Sequence, residues 1–140
     1  MKQILDLPLW LGHAGDGRDY RQMLDAGIQA IVQLAAEEAA LSPPRELLYL
    51  RFPLLDGEGN PPAILDLAVR TTAQLIAARM PTLICCSGGM SRSPVIAAAA
   101  LALSGAWADD TEGCLARLAE SHPVDVTPAL WRAIKEICRR

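Results

Sequence analysis

Aromatic side chains are scarce in this chain: one Phe, two Tyr and three Trp make up 4% of its 140 residues. A core must therefore come from Ala, Leu, Ile and Val, which the 51% hydrophobic content supplies, with Trp107 and Trp131 expected to pack into it. That is enough for one domain, residues 1–140, with a real interior, and it argues against disorder. Charge of one sign is lacking too. A net charge of -3 gives no general attraction to nucleic acid or to an acidic membrane. The apolar run after Pro94 is about ten residues, where a bilayer needs roughly twenty, so it reads as a buried helix. The start M-K-Q-I-L-D-L-P has no long apolar stretch and carries Asp6 where a secretory signal needs hydrophobes. The four cysteines, Cys85, Cys86, Cys114 and Cys138, do not form a disulfide framework, since two are adjacent and the chain is neither small nor loop-rich. A reducing cytoplasm is the expected compartment. Walker loops, zinc spacings, dinucleotide fingerprints and internal repeats are also missing. His13 and His122 read as surface or turn residues, and Asp109, Asp110 and Glu112 as helix-start charges.

What is present is concentrated between Leu83 and Pro94, L-I-C-C-S-G-G-M-S-R-S-P. A short apolar run breaks into glycines and serines and then enters a small-residue apolar segment, which reads as strand, tight loop and helix. Ser93 is a good N-cap and Pro94 fits a first helical turn. Such a loop delivers N–H groups to the positive end of a helix, a place that holds phosphate. Gly88 and Gly89 allow the loop to curl. Cys86 opens it and Arg92 closes it, the one a sulfur nucleophile, the other a planar fork able to grip two oxygens at once.

The rest of the chain alternates. Residues 3–11 read as two short strands or a bent edge strand around Pro8, and 12–17 as a turn. A helix over 18–26 stops at Gly27, and strands follow over 28–34 and 47–52. The segment A-A-E-E-A-A before Pro43 has room for one helical turn. Residues 53–62 are a loop, and 63–79 an amphipathic helix. Two more helices run over about 110–120 and 128–138, the last opened by Thr127 and Pro128. The expected fold is α/β, with a central, mainly parallel sheet of about 4–5 strands and helices on both faces. Ligands bind beyond the carboxyl ends of such strands, where Cys86 falls.

The bare Cys-x5-Arg spacing is weak in a chain with four cysteines and eleven arginines, but Gly89 and Ser93 between a strand and a helix make the pattern specific. It resembles the signature Cys-x-x-Gly-x-x-Arg-Ser/Thr of the cysteine-dependent protein tyrosine phosphatases. L-P-L-W-L-G followed by a helix and G-I-x-x-I-V-x-L (Gly27 to Leu34) resembles the start of small dual-specificity phosphatases. The resemblance implies hydrolysis of phosphomonoesters through a phosphocysteine, with no metal or cofactor. Cys86 would be the nucleophile, Ser87, Gly88, Gly89, Met90, Ser91 and Arg92 the phosphate cradle, and Ser93 an aid to the departing thiolate. It places the general acid about thirty residues upstream at Asp56, with Glu58 in reserve. In one respect the chain departs from the family, which usually has histidine before the nucleophile where this chain has Cys85. That cysteine reads as a small buried hydrophobe, a redox partner of Cys86 being the alternative. The substrate would be a phosphorylated protein or a small phosphomonoester, and the loop's lack of lysine disfavours highly charged phosphoinositides. A phosphate-binding module without turnover and a rhodanese-like sulfur transferase are the other readings.

Overall fold

The computed structural model describes residues 1–139. Strands β1 (Lys2–Gln3) and β2 (Leu9–Gly12) pair antiparallel, with the chain reversing through Asp6 at a positive φ of 60°. The expected turn over residues 12–17 is partly helical, α1 (Ala14–Gly17). The cause is a reciprocal cap: His13 Nδ1 accepts from Asp16 N while Asp16 Oδ2 accepts from His13 N. Helix α2 (Tyr20–Asp25) starts on the Asp19 cap, and Gly27, at φ 81°, turns the chain into β3 (Ala30–Ala35). Strand β4 (Leu48–Leu54) and helix α3 (Pro62–Ala77) lead to β5 (Thr82–Cys85). Then come α4 (Arg92–Ser104), α5 (Thr111–Ala119) and α6 (Pro128–Cys138). Between β3 and β4 the A-A-E-E segment makes one turn, with Glu38 N donating to Ala35 O at 3.3 Å.

The five strands form one sheet in the order β1-β2-β5-β3-β4, parallel throughout except for the β1–β2 pair. Helices cover both faces, as expected from the sequence. On one face Ala30, Val32, Leu34, Ile84 and Cys86 pack beneath α3 to α6. On the other, Ile31, Leu83 and Cys85 meet Met23 of α2. Side chains alternate along a strand, so the adjacent Cys85 and Cys86 point to opposite faces.

Helix α4 is buried all round from Arg92 through Leu101, and accordingly apolar all round from Pro94 onward in that stretch. Its four alanines, Ala97 to Ala100, let α3 and α5 approach closely, while Ile96 and Leu101 each contribute about 1.5–3 kcal/mol by burial. Trp107 packs at the core edge beneath the Arg117 guanidinium, and Trp131 is half-buried with Lys135 over its ring. His122 is a turn residue, one of the two places expected for it. It lies in the turn after α5 but is buried, its Nδ1 3.0 Å from Ser121 Oγ and its Nε2 3.4 Å from the Lys2 carbonyl, so it ties β1 to the end of α5. Among the described residues no helix is long and apolar enough to cross a membrane.

Candidate active site

Strand β5 lies between β2 and β3, and its carboxyl end carries Cys86 into the loop before α4. The helix begins earlier than the sequence suggests. Ser91, not Ser93, holds the cap position, Arg92 is the first helical residue and Pro94 the third. Proline is still tolerated there, because N–H groups of the first turn have no intrahelical acceptor. The shift releases the Ser93 hydroxyl, which is fully buried and meets no hydrogen-bond partner among the described residues.

The curl of the loop depends on one glycine rather than two. Gly89 has φ 78°, and a Cβ there would lie 3.0 Å from the Gly12 carbonyl oxygen, whereas a Cβ on Gly88 would meet nothing within 4 Å. This conformation directs the Gly89 N–H at Cys86 Sγ, 3.2 Å away. Gly89→Ala is expected to cost about 1–3 kcal/mol, read as a lowered Tm, with Gly88→Ala within about 0.5 kcal/mol of the parent. Equal Tm values for the two variants would show that the loop does not need the left-handed residue.

Arg92 is 3% exposed, yet its guanidinium is well supplied with acceptors. Nη1 and Nη2 each donate to a Glu37 oxygen at 2.6 Å, and Nη1 also donates to the Leu54 carbonyl at 2.9 Å. Burial works against the arginine's charge, but Glu37, with Cys86 and Asp56 nearby, outweighs it and the pKa rises. The bonds from Arg92 pull the Glu37 carboxyl down to about 2, against a smaller opposing effect of burial. Nε, by contrast, is buried without an acceptor, as is Ser93 Oγ. Glu37 stands in the turn that follows β3 at the sheet's carboxyl edge, two residues beyond a register shift between Gln33 and Ala35.

Asp56 is exposed and sits on a loop stapled by Asn60, whose side chain accepts from Leu55 N and donates to Leu55 O and Gly57 O. Its Oδ1 accepts from Ser91 Oγ at 2.6 Å and from Thr127 Oγ1 at 3.2 Å. Ser91 and Thr127 are the cap residues of α4 and α6, and neither side chain caps its helix, because both hydroxyls are turned to the carboxylate.

These groups surround a pocket of about 300 Å³, lined by Asp56, Cys86, Gly88, Met90, Ser91 and Arg92 together with residues 125–128. Ser87 belongs to the loop but its hydroxyl points outward to Glu38 Oε2 at 2.9 Å, and Glu58 does not line the pocket. Glu37, Asp125 and Thr127 escape a sequence reading. The signal for Glu37 was its place in the turn straight after a buried strand, at the sheet edge where Cys86 also emerges. Thr127 was legible only as a helix cap.

Cys85 lies on the far side of the sheet from Cys86, with its Sγ where a Cβ on Gly17 would come within 2.8 Å. Burial, with smaller contributions from Cys86, Asp16 and Glu38, pushes its thiol up to about 12, and burial likewise pushes Cys114 up to about 11. All four cysteines are free. Iodoacetamide at neutral pH is expected to modify the exposed Cys138 and to spare Cys85 and Cys114 until denaturant is added. Mass-spectrometric detection of alkylated Cys85 in the folded protein would contradict its packing.

The fold has well-matched counterparts among solved structures. Human DUSP28 is 19% identical, with a TM-score of 0.80 over 94% of this chain and 92% of its own. OH1 of the Orf virus, a tyrosine phosphatase with triple substrate specificity, is 25% identical, with a TM-score of 0.61 over 99% of this chain and 73% of its own. The human tyrosine phosphatase-like serine/threonine/tyrosine-interacting protein is 15% identical, with a TM-score of 0.73 over 92% of this chain and 89% of its own. No curated protein matches in sequence. A family model does, over residues 12–106, from the strand beside Cys86 to the end of the helix behind it: the chain belongs to the polymorphic toxin system DSP-PTPase phosphatases, within the cysteine-dependent protein tyrosine phosphatase superfamily.

Proposed function

We propose that this chain hydrolyses phosphomonoesters of proteins, phosphotyrosine first, through a phosphocysteine on Cys86. One observation carries the reading: Cys86 shares a pocket with Asp56 and Arg92, while Arg92 Nε and, one residue further along α4, Ser93 Oγ are buried with no hydrogen-bond partner among the described residues. Buried polar groups are nearly always paired, so two orphans at the start of the helix that follows the thiol's loop suit an oxyanion. In the first step the Cys86 thiolate attacks phosphorus in line, the P–O bond to the leaving group breaks, and Asp56 gives its proton to the departing oxygen. In the second, water attacks phosphorus, Asp56 takes the water's proton, and the P–S bond breaks to return the thiolate and release inorganic phosphate. Met90, Ser91, Arg92 and the start of α4 present N–H groups to the phosphoryl oxygens, so that positioning and charge stabilisation supply most of the rate. Ser93 donates to the thiolate as it leaves. Each role is filled by a side chain or amide, so EDTA is expected to leave the rate unchanged.

The test is release of p-nitrophenol from p-nitrophenyl phosphate, with acid-quench trapping of a phosphate-labelled cysteine. Turnover without a phosphocysteine would overturn the mechanism. Cys85 favours a second reading, a module that binds phosphoresidues without turning them over, because it stands where the superfamily usually places histidine. Phosphopeptide binding by a wild-type chain with no p-nitrophenol release would establish that reading; thiosulfate turnover would point to sulfur transfer instead.

Asp56→Asn is expected to lower kcat about 10²-fold or more for a poor leaving group such as tyrosine, with KM little changed. The loss should shrink for p-nitrophenol, which departs readily without a proton. Thr127→Val, removing one of the two hydroxyls on Asp56, should move in the same direction by a smaller factor. Equal losses with both leaving groups would remove Asp56 from the role of acid.

A further inference from the structure

The mouth of the Cys86 pocket carries more negative charge than a dianion-binding site would be expected to tolerate. Asp56 and Asp125 line it, and among the described residues the lone cation in that lining is Arg92, which already donates two bonds to Glu37. Two of these acids are occupied, Glu37 by Arg92 and Asp56 by the Ser91 and Thr127 hydroxyls. Asp125 is different. It is exposed, and among the described residues its carboxylate forms no ion pair. It is also fixed in place, because its own N–H donates to the Met90 carbonyl at 2.7 Å, which pins it to the middle of the signature loop.

A phosphomonoester carries a charge of about -1.5 to -2 at neutral pH, so a free carboxylate at the rim opposes its approach. That opposition becomes attraction when the substrate brings its own cation beside the phosphate. We infer that the preferred substrate is a phosphorylated peptide segment with lysine or arginine next to the phosphoresidue, and that Asp125 receives that cation. The inference rests on the phosphatase reading for the phosphate itself, and adds the chemistry of its neighbour. A rim contact of this kind acts mainly on selectivity and encounter, and weakens with salt.

The test compares two phosphotyrosine peptides that differ only in carrying arginine or glutamate on both sides of the phosphotyrosine. The readouts are kcat/KM with the wild-type chain and Kd with Cys86→Ser. The arginine peptide is expected to be favoured about tenfold at low salt by either measure, and by much less at high salt. Asp125→Asn should bring the ratio toward the value set by the remaining charges, and Asp125→Arg should invert it. Because each ratio is taken within one variant, a general loss of activity or stability cancels. Equal Kd and kcat/KM for the two peptides, or a ratio indifferent to Asp125→Arg, would overturn the inference while leaving p-nitrophenyl phosphate hydrolysis intact. No hydrolysis by wild type, with the Kd ratio still tenfold, would overturn the enzyme and keep the selectivity.

Discussion

Cys86→Ser is expected to abolish p-nitrophenyl phosphate hydrolysis, a loss on the order of 10⁴-fold or more, while inorganic phosphate still binds. Serine keeps the size and direction of the side chain, so the strand end, the Gly89 turn and the start of α4 have no reason to move. What disappears is a group that can be an anion at the pocket floor and leave as one when water displaces it. Phosphate affinity, read by calorimetry, should stay within a few-fold, since the amides and the arginine that hold the oxygens are untouched. Residual turnover above about one per cent of wild type would mean that another group attacks phosphorus.

Arg92→Lys is the second large effect, a fall of roughly 10²- to 10³-fold in kcat/KM despite the conserved charge. The guanidinium has divided its donors. Two nitrogens are engaged by Glu37 and the Leu54 carbonyl, and the third is left for the pocket. An ammonium has a single head group and has to choose between those tasks. The Glu37 contact itself is not the weak point over the assay range. Its folded pKa of about 2 lies below the ordinary 4.5, so the pair's contribution to stability is complete above about pH 5 and is lost only as the pH falls toward 2. A loss in Arg92→Lys that is the same at pH 5.5 and pH 7.5 would therefore be assigned to the missing fork and not to titration of its partner. Activity within about tenfold of wild type would show that charge alone suffices at this position.

The sequence revealed most where neighbours in space are also neighbours along the chain. Cys86, Gly89 and Arg92 fall within seven residues, and strand, loop and helix each announce themselves in composition, so the loop and the parallel sheet around it were readable. Asp56 needed the family resemblance, because an aspartate before glycine is an ordinary turn. Glu37 lies 55 residues from Arg92, and Thr127 lies 36 from Ser91, so no local pattern joins them. The misplaced cap has a similar origin: Ser91 and Ser93 are equally good by type, and the choice was made by a carboxylate on a distant loop. The opposite orientations of Cys85 and Cys86 followed from strand geometry alone. They separate the two sulfurs by the sheet and remove the simplest route to a disulfide between them.

The two hydroxyls on Asp56 have another use waiting. Should the aspartate's loop lift to admit a bulky phosphoresidue, neither hydroxyl would be stranded, since Thr127 stands at the cap of α6, whose first-turn amides lack a side-chain cap, and Ser91 Oγ keeps the Thr127 N–H at 3.3 Å. Departure of the carboxylate then leaves each hydroxyl with a partner in reach, so the mouth can widen without stranding either.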